Sequence, residues 1–146
     1  MASEQLVVFQ LGNEEYALAI SQVKEIINYG GATKLPNTPP HMEGMINLRG
    51  KVIPVVNLAK RFGMEKGLAS EARAVIVEAA GRDVGVIVDE VREVLRIEDN
   101  AIEQVQTVLT GAGKFIRGIG KLEGRLLIIL DLDNLFSEEE QIMIAG

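Results

Sequence analysis

The feature that most constrains how this chain can fold is an internal repeat. The stretch Gly44–Phe62 returns in altered form as Gly118–Phe136, at a constant offset of 74 positions. Gly44, Leu48, Gly50, Leu58 and Phe62 meet identical residues at Gly118, Leu122, Gly124, Leu132 and Phe136, while Lys51 meets Arg125 and Asn57 meets Asp131. Both copies read as a strand, a two-residue turn ending in glycine (Arg49-Gly50, Glu123-Gly124), an apolar strand and a short helix. A glycine between two apolar runs is a strong hairpin signal, because it adopts the positive φ that a primed turn requires.

A second pair of segments repeats in the same order. Glu15–Ile27 aligns with Asp83–Leu95 at an offset of 68 positions. Two segments recurring in order describe a chain made of two like halves, a duplicated small β unit. Each half alone, about seventy residues, buries too little surface to be comfortably stable. The halves are therefore expected to press apolar faces together within one domain spanning residues 1–146. The division falls into a first subdomain over about 6–66, a second over about 70–136, and a short C-terminal helix over about 137–145. Ser137 and Glu140 have capping-box spacing for that helix.

Strand runs are expected at Leu6–Leu11, Glu15–Ile20, Arg73–Ala80 and Arg82–Val88, besides the two repeated hairpins. Ser21–Ile27 stays open between a strand, which would put Val23, Glu25 and Ile27 on one face, and a helix, which would join Val23, Ile26 and Ile27. Asn28–Pro40 reads as loop, and Glu98–Lys114 as irregular with one helical turn. Pro54 lies inside the second strand of the first hairpin, where it cannot donate a ladder hydrogen bond. Its strand is expected to be an edge strand or bulged, a defect its counterpart Ile128 lacks, so the two halves are expected to differ in which edge stays open to partners. Short strands with turn signals every eight to twelve residues indicate an all-β barrel or sandwich.

The residue inventory excludes much chemistry. Cysteine is absent, so disulfides and thiolate metal sites are excluded. A net charge of −6 with both signs interspersed, and only 4% aromatic residues, do not make a nucleic-acid footprint. No basic leader, apolar span or lipidation motif stands out, and a cytoplasmic location is expected. His41 is the single histidine and reads as an exposed loop residue. Asp131 to Asn134 resembles the start of a calcium loop but lacks the required glycine and glutamate. Asp131 and Asp133 are better read as caps on a helix N-terminus. Asp89-Glu90 reads as local capping or solvated charge, and the glycine pairs 111/113 and 118/120 as turns. No catalytic set, cofactor site or metal site emerges.

What remains is aliphatic surface in matching places: Val23, Ile26 and Ile27 in one half, Val91, Val94 and Leu95 in the other. Such residues are ordinarily plain core. Placed at the seam of a duplicated fold, and rimmed by Lys24, Glu25, Arg92 and Glu93, they would form a groove for an amphipathic helix.

At Gly44–Leu58 the sequence resembles the CheW family of chemotaxis coupling proteins. Phe9–Tyr16, Val23–Ile26, Leu35–Pro39 and Gly85–Val91 are similar to it as well, so the likeness runs in order from about Leu6 to Phe136. It implies two intertwined five-stranded SH3-like barrels with short helices related by a pseudo-twofold. It also implies an adaptor without enzymatic activity or cofactor. Its partners would be the histidine kinase CheA, through the regulatory domain, and the cytoplasmic tip of methyl-accepting chemotaxis proteins, at arrays on the inner face of the membrane. The implied receptor-binding positions are Val23, Glu25, Ile27, Gly44, Arg49, Val91 and Val94. Gly44 would admit a receptor helix closely, and Glu25 would be the ionic partner of Arg49. Weaker kinase-binding candidates are Leu35, Pro36, Asn37, Thr38 and Pro39, with Pro40 and the Leu6–Leu11 strand. Asn57 departs from an aspartate common in such sequences. A coupling module of a non-chemotaxis pathway and a small ligand-binding β-barrel are the alternatives. A CheV-type coupler would add a receiver domain, and a kinase regulatory domain would belong to a much longer chain.

Overall fold

A computed structural model of the chain describes residues 2–64, 72–104 and 115–136. The first half supplies β1 (Ser3–Leu11), β2 (Glu14–Ala19), β3 (Val23–Asn28), β4 (Met42–Leu48), β5 (Lys51–Asn57) and helix α1 (Leu58–Arg61). The second supplies β6 (Arg73–Ala79), β7 (Arg82–Val88), β8 (Glu90–Glu98), β9 (Ile102–Glu103), β10 (Ile116–Leu122), β11 (Arg125–Leu130) and a helical turn over 132–136. The protein is all-β, as its alternating apolar runs and turn glycines require. The expected helix at 137–145, Val105 and the glycines at 111 and 113 lie outside the described residues.

Each sheet draws strands from both halves. One runs β8-β1-β2-β11-β10-β9 and the other β3-β6-β7-β5-β4. The first hairpin of each half has left its own strands and inserted among those of the other. A division of the chain near residues 66–70 therefore separates the repeats in sequence but not the sheets. The two sheets match strand for strand, apart from the two-residue β9, which gives the first sheet a sixth strand.

The registers carry both sequence offsets into three dimensions. Parallel pairing of β5 with β7 sets Val55 opposite Gly85, and that of β11 with β2 sets Ile129 opposite Ala17. Even the bulges are duplicated. The β3–β6 ladder skips Lys24 and the β1–β8 ladder skips Arg92; the β4–β5 ladder skips Glu43 and the β10–β11 ladder skips Arg117. A bulge inserts one residue and turns the next side chain to the other face. Its recurrence at equivalent positions shows that both copies keep the same irregular twist.

The exchange explains where the apolar side chains go. Leu6, Val8, Ala17, Ile97, Leu127 and Ile129 form the core of one barrel. Ile53, Val55, Ala74, Ile76 and Ile87 form that of the other. Between them lies a larger shared core containing Phe9, Leu11, Leu18, Val56, Val75, Val77, Val86, Leu132 and Phe136. Each fully buried Val, Leu, Ile or Phe contributes about 1.5–3 kcal/mol, so the seam holds the fold as firmly as either barrel.

Of the two readings open for Ser21–Ile27, the strand holds from Val23 onward, entered through a 3-10 turn at Ile20–Gln22, but the bulge keeps Val23 off the face of Glu25 and Ile27. The irregular stretch after Glu98 contains a 3-10 turn at Asp99–Ala101 and the short β9. Pro54 does not lie on an edge, since β5 is flanked by β4 and β7. It is tolerated for a local reason. Met45, opposite Pro54, spends its N–H and C=O on Thr33 across the far side of β4 (2.8 and 2.9 Å). Met45 and Pro54 are thus a non-hydrogen-bonded pair, and the proline nitrogen faces the β7 side, where the ladder starts only at Val55. Nothing there asks for a donor.

Candidate partner-binding surface

The strands β3 and β8 each lie at one edge of their sheet and carry five of the seven residues implied for receptor binding, Val23, Glu25, Ile27, Val91 and Val94. Residues directly opposite in a ladder share a face. Val23 and Ile26 face Val77 and Val75, both in the seam core, whereas Glu25 and Ile27 face Ile76 and Ala74, both in the barrel core. The bulge at Lys24 is what moves Glu25 to the opposite face from Val23. The same logic puts Val91, opposite Phe9, on the seam face, with Glu93 and Leu95 on the barrel face. Val94, opposite Val7, follows Val91 on the seam side.

The edge of the seam is thus marked by equivalent pairs, Val23 with Ile26 and Val91 with Val94. Val23 and Val91 are half-buried against the seam core, while Ile26 is 40% and Val94 50% exposed. These aliphatic residues are not sealed inside. Ile27 packs inward on the barrel core with Tyr29 and Ile46. Ile26, which neither simple periodicity joined to Val23 without Ile27, shares its face because of the bulge. Only a pairing register reveals such an insertion.

Arg49 and Glu25 form an ion pair, as the likeness implied. Arg49 occupies the left-handed region (φ 52°) ahead of Gly50 (φ 85°), so the turn has the primed sense. In the second copy Gly124 alone is left-handed, and the Glu123-Gly124 turn is of a different kind. Gly44 is glycine for an internal reason. A Cβ there would lie 2.1 Å from the Thr33 carbonyl oxygen, so the close approach is made by the chain's own backbone.

Leu35, Pro36 and Asn37 are exposed, and the Thr38 hydroxyl donates to the Leu35 carbonyl at 3.1 Å, closing the turn. Leu35 and Thr38 also line a cavity of about 580 Å³ with Met42, Met45, Val52 and Phe136. The Leu6–Leu11 strand offers no such surface: Leu6, Val7, Val8, Phe9 and Leu11 are buried, and β1 lies between β8 and β2. At the cavity edge Asp83 accepts from Lys24 (2.8 Å) and Lys51 (2.5 Å). The hydrogen bond from Lys24, then that from Lys51, holds its carboxyl below the usual carboxylate range. The other barrel repeats the device with Arg125 bound to Glu15 and Glu93, each at 2.9 Å. In both, a cation just after the glycine turn ties its hairpin to the one received from the other half.

The remaining polar candidates are structural. His41 is half-buried, and its carbonyl accepts from the Asn57 N–H at 2.7 Å. Asn57, 1% exposed, accepts from the Lys60 N–H and so caps α1; Asp131 accepts likewise from the Asn134 N–H. Asp133 is not a cap: it accepts from the Ala80 N–H at 2.9 Å and from Gln22. Asp89 accepts from the Gly12 N–H at 2.9 Å. No helix among the described residues is long and apolar enough to cross a membrane.

Comparison with known proteins agrees with this architecture. Residues 5–140 match the CheW-like domain. The chain is 36% identical to chemotaxis protein CheW of Klebsiella aerogenes over 143 residues, covering 97% of this chain and 86% of that protein. It is also 36% identical to chemotaxis protein CheW of Bacillus subtilis over 138 residues, covering 93% and 88%. The crystal structure of scaffolding protein TtCheW from Thermoanaerobacter tengcongensis superposes with a TM-score of 0.87 at 43% identity, covering 92% of this chain and 93% of that one. A duplicated, hairpin-exchanged all-β chain with this coverage on every side belongs to the CheW-like domain family.

Proposed function

We propose that this chain is a chemotaxis adaptor that couples methyl-accepting chemoreceptors to the histidine kinase CheA. The receptor's helical tip lies against Val23, Ile26, Val91 and Val94, with the Arg49–Glu25 pair beside them; the kinase regulatory domain docks around Leu35–Pro39. The observation that carries the reading is the pair of equivalent aliphatic strips left open at the seam, with Ile26 and Val94 among the few large apolar side chains exposed in the described residues. An amphipathic helix reads such a surface through anchors on one face. Signalling passes by packing, and modest single contacts gain strength through multivalency in an array. Ile27 acts from behind, by setting the position of β3 on its barrel.

The test is reconstitution with a receptor cytoplasmic fragment and CheA. Phosphorylation by the kinase becomes receptor-dependent only when the chain is present. Val91→Asp abolishes co-sedimentation with the receptor fragment while the circular dichroism of the chain is unchanged. Persistent co-sedimentation of a folded Val91→Asp variant would remove the seam from the reading.

A further inference from the structure

The two barrels repeat each other strand for strand, yet they differ at one internal place. Tyr16 precedes Ala17, which pairs with Ile129; Val84 precedes Gly85, which pairs with Val55. Tyr16 and Val84 are therefore equivalent, as are Phe62, which caps α1, and Phe136 of the helical turn over 132–136. On one side of the shared core the Tyr16 ring stacks on Phe62, with centroids 5.8 Å apart, and on Phe9 at 6.0 Å. On the other, the corresponding residues are Val84, Phe136 and Val77. Val84 and Phe136 both line the 580 Å³ cavity. One side of the shared core fills the place with its own ring; among the described residues, the other side does not.

One residue of the mouth recurs while the floors differ. Val52 is 61% exposed at the cavity, and its equivalent Leu126 is 62% exposed on the other barrel. Leu35, 42% exposed, adds a second apolar side chain to the mouth of the hollow site. A concave apolar site of this size suits an anchor side chain.

We infer that the cavity beside Val84 is a receptacle for an aromatic side chain presented by a protein partner, seated as Tyr16 is seated on the other side of the shared core. The internal copy supplies the template: a phenol-sized ring lying against the phenylalanine at the equivalent place. The inference rests on the adaptor reading only for the statement that the ring arrives on a partner. Burying a ring there is worth about tenfold or more in affinity.

The experiment uses the full chain and 4-methylphenol, the tyrosine side chain without its backbone, followed by the methyl resonances of Met42 and Met45, which line the cavity. Wild type shows saturable shifts at both. Val84→Tyr, which supplies the missing ring from within, binds the phenol at least about tenfold more weakly. The reciprocal Tyr16→Val opens the equivalent hollow, and 4-methylphenol raises its melting temperature more than that of wild type. No shift at Met42 and Met45, equal binding by a folded Val84→Tyr, or no rescue of Tyr16→Val overturns the inference.

Two further arms decide the occupant. Acetyl-Gly-Tyr-Gly-amide shifts the same methyls and acetyl-Gly-Ala-Gly-amide does not; if neither peptide acts, the cavity takes free aromatics and the partner assignment fails. It fails too if Ile142→Ser with Ile144→Ser tightens phenol binding about tenfold or more, because the chain's own end then occupies the site. Loss of receptor coupling with phenol binding intact would sink the adaptor reading alone.

Discussion

Replacing Gly44 with alanine separates two explanations of one residue, and the structure supplies the magnitude. φ at Gly44 is 138°, a conformation that side-chain-bearing residues rarely adopt. Holding alanine there costs about 1–3 kcal/mol. The added Cβ would also lie 2.1 Å from the Thr33 oxygen and 2.6 Å from its carbonyl carbon. Those atoms are backbone and cannot rotate away. Relief means opening the bridge between Thr33 and Met45, whose two hydrogen bonds are worth about 0.5–1.5 kcal/mol each. The sum is about 2–6 kcal/mol, a large part of the ~5–15 kcal/mol that holds a domain folded. Gly50 is the control: it too is left-handed (φ 85°), but nothing lies within 4 Å of its virtual Cβ. Gly50→Ala therefore loses only about 1–2 kcal/mol. Urea unfolding followed by circular dichroism measures both, and at the middle of these ranges Gly44→Ala should lower the midpoint by about 1 M beyond the control. Equal midpoint shifts would refute the Thr33 argument and return Gly44 to the reading in which a receptor helix makes the close approach.

Three other outcomes are expected. Reversing both charges of the Arg49–Glu25 pair should restore more receptor-dependent kinase activity than either single reversal, while stability moves by less than about 1 kcal/mol because Arg49 is largely exposed; equal defects in all three variants would argue against the pair. Asp83 has its carboxyl depressed by Lys24 and Lys51, so its contribution is present above the unfolded carboxylate range and is lost as pH falls through the depressed value. Denaturation at neutral pH and at about pH 3 should therefore show a smaller acid loss for Asp83→Asn than for wild type, and identical slopes would remove the linkage. Asn57→Ala takes away the cap of α1 from a buried position and should cost about 1–2 kcal/mol in thermal or urea unfolding, with a neutral result excluding the capping role.

Parts of the candidate surface are legible in the amino-acid sequence. The 68-residue offset picks out Val23 and Val91, and the Arg49–Glu25 pair follows from the family likeness. Ile26 is harder, because a strand period and a helix period each group it wrongly. The insertion at Lys24 that sets its direction leaves no mark in Val23–Ile27; it becomes visible only when β3 is laid against β6. Pro54 misleads for a similar reason. Its missing donor matters only where a neighbouring strand asks for one, and the point where β7 begins to pair cannot be read from β5.

Hairpins joined by two-residue turns are local objects, made by neighbours in sequence, and so the duplication, the turns and the short capped helices are written in the residues themselves. The partner sheet of each hairpin is a long-range choice between two nearly identical sites. A duplicated sequence offers both with the same alternation of apolar residues, so pattern alone does not select one. Tertiary packing made the choice, exchanging the first hairpins and burying Phe9, Leu18, Val75 and Val86 in one seam between the barrels.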